Sequence, residues 1–187
     1  MTARREAELS GGPAGPDFLS LPARSAKPRE VGLTHVLDPG LSVAELQELL
    51  EHAGGFIDIV KFGWGTAYVS PKIREKIGCC RRAGVRACLG GTLLEIAEAQ
   101  GKTAEYVSWI RDLGVDCVEI SNGALGMPAR RKRELVHELS DEFAVLAEVG
   151  SKGAIAPVAR DWIGEMTADL TAGATWVITE GRESGTV

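Results

Sequence analysis

A chain of 187 residues, of which 44% are hydrophobic, is long enough to form one domain with a substantial core. Its formal net charge of −5 argues against a general nucleic-acid binder, because such domains usually carry a basic stripe, but it leaves room for a small anionic substrate held by local cations. No apolar run reaches the roughly 18 residues that span a bilayer, and no secretory signal is evident, so we expect a cytoplasmic protein without membrane or nucleic-acid partners.

The chain divides into a polar start and a long alternating region. Residues 1–30 are rich in glycine, proline, alanine and charge, and we expect a disordered N-terminal tail there. From residue 31 to residue 187, short apolar runs alternate with helical segments, which indicates a single α/β domain. The apolar runs, typical of buried parallel strands, are residues 32–38, 56–63, 84–90, 115–121, 143–150 and 174–180.

The helical segments carry start and stop signals. Ser42 with Glu45 matches a capping box, and Thr92 with Glu95 matches a second, so capping already explains Glu95. Gly114 follows an apolar-periodic stretch and precedes a strand, as a C-terminal glycine cap does. The chain is therefore predicted to repeat a strand–helix unit.

The fold class follows from where the polar residues lie. Neither GxGxxG nor GxxxxGK[ST], the motifs typical of doubly wound sheets, occurs in the chain. Residues of chemical interest instead follow each strand, which favours a TIM (β/α)8-type barrel with its active site in the strand–helix loops. A complete barrel takes about 250 residues, so we expect six of the eight units in residues 31–187 and a truncation after the sixth strand. A gap closed by a partner chain, or a fold other than a barrel, remains open.

Acidic residues follow three successive strands. They are Glu119, Glu148 and Glu180. Charged groups at the ends of buried strands are costly to desolvate unless they are paired or bind a ligand, and magnesium prefers a few carboxylates plus substrate oxygens. A ring of purely structural ion pairs is the competing interpretation, and the Asp38-Pro39-Gly40 sequence is also a plain turn signal.

Three places have the composition of an anion site. Lys61 closes a buried run and precedes a loop with two glycines, although a snorkelling lysine would have the same sequence. Gly90 and Gly91 lead into a helix N-terminus, although they could serve only to make a tight turn. A guanidinium, a hydroxyl and a glycine amide come together in the final loop, in Arg182, Ser184 and Gly185.

The strand ends carry the blocks VLDPGL, DIVKFGWGT, LGGTLLEIA, VEISNG, EVGSKG and ITEGRESGT, in this order. In these blocks the chain resembles the phosphosulfolactate synthases from about residue 32 to residue 187. The resemblance implies a magnesium-dependent TIM-barrel lyase that adds sulfite to phosphoenolpyruvate, giving (2R)-phospho-3-sulfolactate, an early step toward coenzyme M. The family also includes plant heat-stress-associated relatives, so an inactive truncated scaffold that acts through protein partners is the alternative.

The resemblance also implies roles for individual residues. Lys152 would deliver a proton to C2 of the substrate, and Mg²⁺ on the three strand-end glutamates would stabilise the charge on the substrate carboxylate. Substrate contacts are expected from Lys61, Gly90, Gly91, Ser121, Asn122, Arg182, Ser184 and Gly185, with Lys61 and Arg182 also counted as catalytic. The chain departs from the family at Gly181, where we expect alanine, and in lacking the last two units. Homo-oligomerisation is left open.

Overall fold

The computed structural model describes residues 24–150 and 159–179, and within them six strands and seven helices. The strands are β1 His35–Asp38, β2 Ile59–Phe62, β3 Arg86–Gly90, β4 Cys117–Ile120, β5 Ala144–Val149 and β6 Trp176–Thr179. The helices are α1 Val43–Ala53, α2 Trp64–Val69, α3 Ile73–Arg82, α4 Thr92–Ala99, α5 Thr103–Leu113, α6 Ala129–Ser140 and α7 Ala159–Thr171. Each strand lies inside a predicted apolar run. In the described ranges, no helix has both the length and the apolar character needed to cross a membrane.

The sheet is parallel throughout, and its strands follow one another in chain order from β1 to β6. Strand–helix–strand crossovers are right-handed, so a sheet that never reverses its order places every helix on the same face. A doubly wound sheet reverses its order and carries helices on both faces. The chain therefore forms a half-barrel of the TIM-barrel type, as the sequence predicts.

The two faces of the sheet carry different cores. The helix-facing core is the larger and includes Val60, Phe62 and Leu89, packed against helical residues such as Leu46 and Ile110. The inner face carries a smaller cluster, made by Ile59, Cys88, Cys117 and Leu146. Because side chains alternate between the faces of a strand, Lys61 shares the inner face with Ile59.

The helix starts are only partly as predicted. Ser42 and Glu45 form the expected capping box at α1. The expected box of Thr92 and Glu95 is wrong, because Gly91 occupies the N-cap position of α4 and no side chain caps that helix. The loop after β2 contains the short helix α2, which the sequence did not predict. Gly114 ends α5 in the left-handed conformation, as expected.

Residues 24–30 belong to the stretch assigned to the tail, yet they pack against the amino-terminal end of β2. Arg29 is buried and donates to Asp58 Oδ1 and to the Gly55 carbonyl oxygen, both at 2.8 Å. Asp58 also accepts the Thr34 amide at 2.8 Å. Packed structure therefore begins before residue 31, while residues 1–23 lie outside the described ranges.

Replacing Arg29 with alanine should lower the free energy of unfolding by about 3 kcal/mol near neutral pH, because Asp58 then stays buried without its guanidinium partner. Burial by itself raises the pKa of Asp58, but the Thr34 amide and Arg29 hold that pKa below its usual range. A depressed folded pKa contributes stability above the unfolded pKa, and this contribution is lost as the pH falls through the folded pKa. The deficit of Arg29→Ala should therefore shrink below about pH 4.

Urea unfolding of both proteins near neutral pH and at about pH 3 measures this difference. Arg130→Ala is the control, since Arg130 lies exposed on α6 and pairs only at the surface with Glu134. It should change the free energy of unfolding by no more than about 0.5 kcal/mol. An Arg29→Ala deficit of equal size at both pH values would contradict the assigned role of the pair.

Candidate active site

The inner face carries an ion pair at the carboxyl ends of the strands. Lys61 lies level with Cys88 of β3, and Glu119 lies level with Gly90, so the two charged residues face each other diagonally across β3. Lys61 Nζ donates to Glu119 Oε1 in a short hydrogen bond. The Glu119 side chain is 1% exposed, whereas that of Lys61 is 20% exposed. The pair therefore combines a buried carboxylate with an ammonium that solvent can reach.

Two glycines make room for this pair. Gly90 and Gly91 have φ angles of +126° and +57°, which side-chain-bearing residues rarely adopt. A Cβ on Gly90 would lie 2.1 Å from the Glu119 carbonyl oxygen. One on Gly91 would lie 2.5 Å from Glu119 Oε1 and 3.3 Å from Lys61 Nζ. The Gly91 amide also donates to the Glu119 carbonyl at 2.8 Å, so the β3–α4 turn is fastened directly over the pair.

Glu95 holds the loop that follows β4. The residue lies in α4 and is 2% exposed. It accepts a short hydrogen bond from the Ser121 hydroxyl and backbone N–H bonds from Ala124 at 2.9 Å and Leu125 at 2.7 Å. This arrangement replaces the capping role that the sequence assigned to Glu95. The Thr-x-x-Glu spacing is typical of a capping box, and no local feature of the sequence indicated that Glu95 binds the loop after β4 instead.

Two proposed substrate-binding residues hold the same loop. The Ser121 side chain is buried and bound to Glu95, and Asn122 Nδ2 donates to the Met127 carbonyl oxygen at 3.2 Å. Ser121 thus fastens the loop to α4, whereas Asn122 closes the loop on itself, and their roles toward a substrate stay predictions. Lys61, Gly90, Gly91 and Glu119 are the predicted site residues that the structure brings together.

Asp38 has the structural role that its turn signal suggested. Its Oδ1 atom accepts the amides of Gly40 at 2.9 Å and Leu41 at 2.8 Å. Its other oxygen accepts a short hydrogen bond from Lys76, a residue of α3 that the sequence did not single out. The Lys76 ammonium also lies 5.1 Å from the ring centroid of Phe62. The carboxyl end of β1 is therefore tied to α3 by a buried ion pair.

A second buried lysine ties down the end of β5. Lys132 in α6 donates to Asp169 Oδ2 and to the Glu148 carbonyl oxygen, each at 2.6 Å. Both side chains of this pair are 3% exposed. Lys132 lies within an Arg-Arg-Lys-Arg run, so its sequence is typical of a solvated helix face and carries no signal of burial. The pair fixes the backbone of Glu148, one of the predicted metal ligands.

The predicted metal ligands are only partly described. Glu119 is level with Leu146 in the sheet, and Glu148 lies two residues further on, so both carboxylates belong to the inner face. Within residues 24–150 and 159–179, no group of three or more His, Cys, Asp or Glu residues is arranged to hold a metal ion. Glu119 also carries Lys61, so a cation here would share that carboxylate with an ammonium. Glu180, the third expected ligand, lies outside the described ranges.

The remaining predicted site residues lie outside the described ranges. They are Lys152, Glu180, Arg182, Ser184 and Gly185.

A half-barrel with charged groups at the carboxyl ends of its strands defines a domain of the TIM-barrel class. A solved structure of similar fold is the carboxyl transferase domain of Rhizobium etli pyruvate carboxylase, with a TM-score of 0.55 and 11% sequence identity. That match covers 78% of this chain and 26% of the other, and at this identity it shows likeness of fold alone.

The family model of (2R)-phospho-3-sulfolactate synthase (ComA) matches residues 22–187, and the chain belongs to this family. The phosphosulfolactate synthase of Bacillus subtilis is 40% identical over 174 residues, covering 91% of this chain and 69% of that protein. The enzyme of Methanothermobacter thermautotrophicus is 41% identical over 177 residues, covering 90% and 67%. Protein HEAT-STRESS-ASSOCIATED 32 of Arabidopsis thaliana is 32% identical over 112 residues, covering 56% and 39%. The chain thus spans about two thirds of the length of its synthase relatives, and the resemblance inferred from the strand-end blocks is confirmed.

Replacing Gly91 with alanine should destabilise the fold more than the same change at Gly101. Both glycines have a left-handed φ, but a Cβ on Gly101 would have no atom within 4 Å, so that change measures backbone strain of about 1–2 kcal/mol. At Gly91 the Cβ also displaces Glu119 and Lys61. Urea unfolding should show at least about 1 kcal/mol of additional loss for Gly91→Ala. Equal losses would mean that the ion pair does not need the space above it.

Proposed function

We propose that the chain carries a site for the addition of sulfite to phosphoenolpyruvate, giving (2R)-phospho-3-sulfolactate. The observation that supports this most directly is the Lys61–Glu119 pair on the inner face, in a chain of the phosphosulfolactate synthase family. Barrel enzymes draw their catalytic groups from the carboxyl ends of the strands, where this pair lies. The chemistry is that of a lyase that acts on small anionic substrates.

Lys61 is proposed to bind the phosphate or sulfonate group. Glu119 holds the Lys61 ammonium in position before the anion binds. Binding therefore loses less side-chain conformational entropy than it would with a freely rotating lysine. The N-terminus of α4 begins beside the pair, at Gly91, and no side chain caps it. Its dipole therefore adds positive potential to the same region. The inner face thus has two sources of attraction for an anion.

The bond changes of sulfite addition require several further residues. The sulfur lone pair of sulfite forms a bond to the CH2 carbon, and the electrons of the double bond move toward C2 and the carboxylate. Lys152 is proposed to deliver the proton that C2 then accepts, as a positioned general acid. Arg182, Ser184 and the Gly185 amide are proposed to hold the phosphate together with Lys61. The roles of the four residues outside the described ranges come from the family blocks.

Magnesium is proposed as the cofactor. When bound, it would neutralise the negative charge that develops on the substrate carboxylate. Glu119 and Glu148 are the described residues that would hold it, and Glu180 is the proposed third ligand. Lys61 already neutralises part of the charge of Glu119, so the metal would share that carboxylate with the ammonium.

The proposal is tested by incubating the chain with phosphoenolpyruvate, sulfite and magnesium chloride and following the sulfonated product by mass spectrometry. The Bacillus subtilis relative serves as the positive control. We expect a product of the same mass and retention time, and a loss of product when EDTA removes the metal. A chain that folds and gives no product beside an active control would rule out the reaction and favour a scaffold that binds partners.

Replacing Lys152 with alanine should lower kcat by about 100-fold or more, because a positioned general acid contributes at least that much. The thermal midpoint should stay within a few degrees of the wild type. Lys72→Ala is the matched control, because Lys72 is a surface lysine that pairs only with Glu75, at 3.6 Å, and its removal should leave turnover unchanged. Near-normal turnover in Lys152→Ala would remove this lysine from the mechanism.

A further inference from the structure

A charged cavity lies at the opposite end of the half-barrel from Lys61. It has a volume of about 200 Å³ and is placed where β2, β3 and β4 begin. Four cationic and two acidic side chains line it, and they are Lys27, Arg29, Arg81, Arg86, Asp58 and Asp116. None of these residues belongs to the site proposed for sulfite addition.

The charges around this cavity do not balance. Four cations against two carboxylates leave an excess of two positive charges, in a chain whose formal net charge is −5. Asp58 is already occupied by Arg29 and by the Thr34 amide. Asp116 accepts the amide of Ala87 at 3.1 Å, which fixes it against β3. Both carboxylates are therefore already engaged in local contacts, and a net positive charge remains around the cavity.

Lys27 forms no ion pair with a described carboxylate. Its Nζ donates to the Gly84 carbonyl oxygen at 3.4 Å, a long hydrogen bond. Burial lowers the pKa of Lys27, Asp58 acts against this, and Arg29 and Arg24 lower the pKa further. An ammonium crowded by guanidinium groups is stabilised by an anion placed among them.

Arg81 and Arg86 can complete an anion site from the other side. Arg81 donates to the Gly114 carbonyl oxygen at 2.6 Å through Nη2, and a guanidinium has five N–H donors in all. Arg86 makes a cation–π contact with Trp176, with 5.1 Å between its Cζ atom and the ring centroid, which restrains its guanidinium at the rim. Planar, fixed guanidinium groups suit the oxygens of a phosphate.

We propose that this cavity binds a tetrahedral oxyanion of about two negative charges, either free phosphate or the phosphate group of a small metabolite. Lys27 and Arg81 donate to its oxygens, and Arg86 and Arg29 supply the surrounding positive potential. The proposal concerns the amino-terminal end of the strands only, so it stands or falls independently of the sulfite reaction.

Isothermal titration of Lys61→Gln with inorganic phosphate tests it, because that change removes the described cation of the other site. We expect binding to persist in Lys61→Gln. Adding Lys27→Gln or Arg81→Gln should each weaken it about tenfold, the effect of losing one charge-assisted hydrogen bond. Adding Arg130→Gln removes an equal charge from the exposed face of α6 and should leave the affinity unchanged. Thermal midpoints of all variants verify folding.

Titration with phosphoenolpyruvate in the same variants distinguishes the two sources. Tighter binding of phosphoenolpyruvate than of phosphate, sensitive to Lys27→Gln, identifies a metabolite site; equal or weaker binding identifies a phosphate site. Loss of all phosphate binding in Lys61→Gln would place the anion at the carboxyl end and overturn the proposal. Equal weakening by Arg130→Gln and Lys27→Gln would also overturn it, since binding would then follow net charge alone.

Discussion

Burying an ionised carboxylate constrains everything around it. Glu119 is almost wholly removed from solvent on the inner face, and desolvating it would cost several kcal/mol without the partnership of Lys61. The partnership in turn requires glycine at the end of β3 and at the first residue after it, because a methyl group on Gly91 would lie 2.5 Å from Glu119 Oε1. A single ion pair thus restricts the chain to glycine at the two positions where β3 leads into α4.

Buried lysine–carboxylate pairs also lie near the ends of two other strands, but their partners come from different elements. Lys76 holds Asp38 at the end of β1, and Lys132 holds Asp169 together with the carbonyl of Glu148 at the end of β5. In both cases the lysine comes from a helix: Lys76 pairs directly with the carboxylate at the end of β1, whereas Lys132 pairs with Asp169 of α7 and donates to the backbone of β5. Removing one member of either pair would leave a buried charge without its partner, so each pair holds the neighbouring strand end in position. The ends of β1 and β5 are thereby fixed to the helices around them.

The sequence predicts the strands well because each signal is local. A short apolar run that ends at a glycine needs no knowledge of the rest of the chain, and the Ser42–Glu45 cap is likewise complete within one turn. The site is harder because its contacts are distant in sequence. Lys76 lies 38 residues from Asp38, and Glu95 lies 26 residues from Ser121. The spacing of Thr92 and Glu95 is the same whether the carboxylate caps its own helix or binds the loop after β4.

Exposure separates the lysine suited to chemistry from the structural ones. The side chain of Lys76 is 2% exposed and that of Lys132 is 3% exposed, and each ammonium is enclosed by acceptors or an aromatic ring. A ligand could reach either only by breaking a buried pair. Lys61 has the same kind of carboxylate partner, but 20% of its side chain remains exposed on the inner face. A carboxylate that orients a lysine without enclosing it leaves the ammonium accessible to an anion, and on this ground Lys61, rather than Lys76 or Lys132, is the described lysine that we propose to bind the substrate.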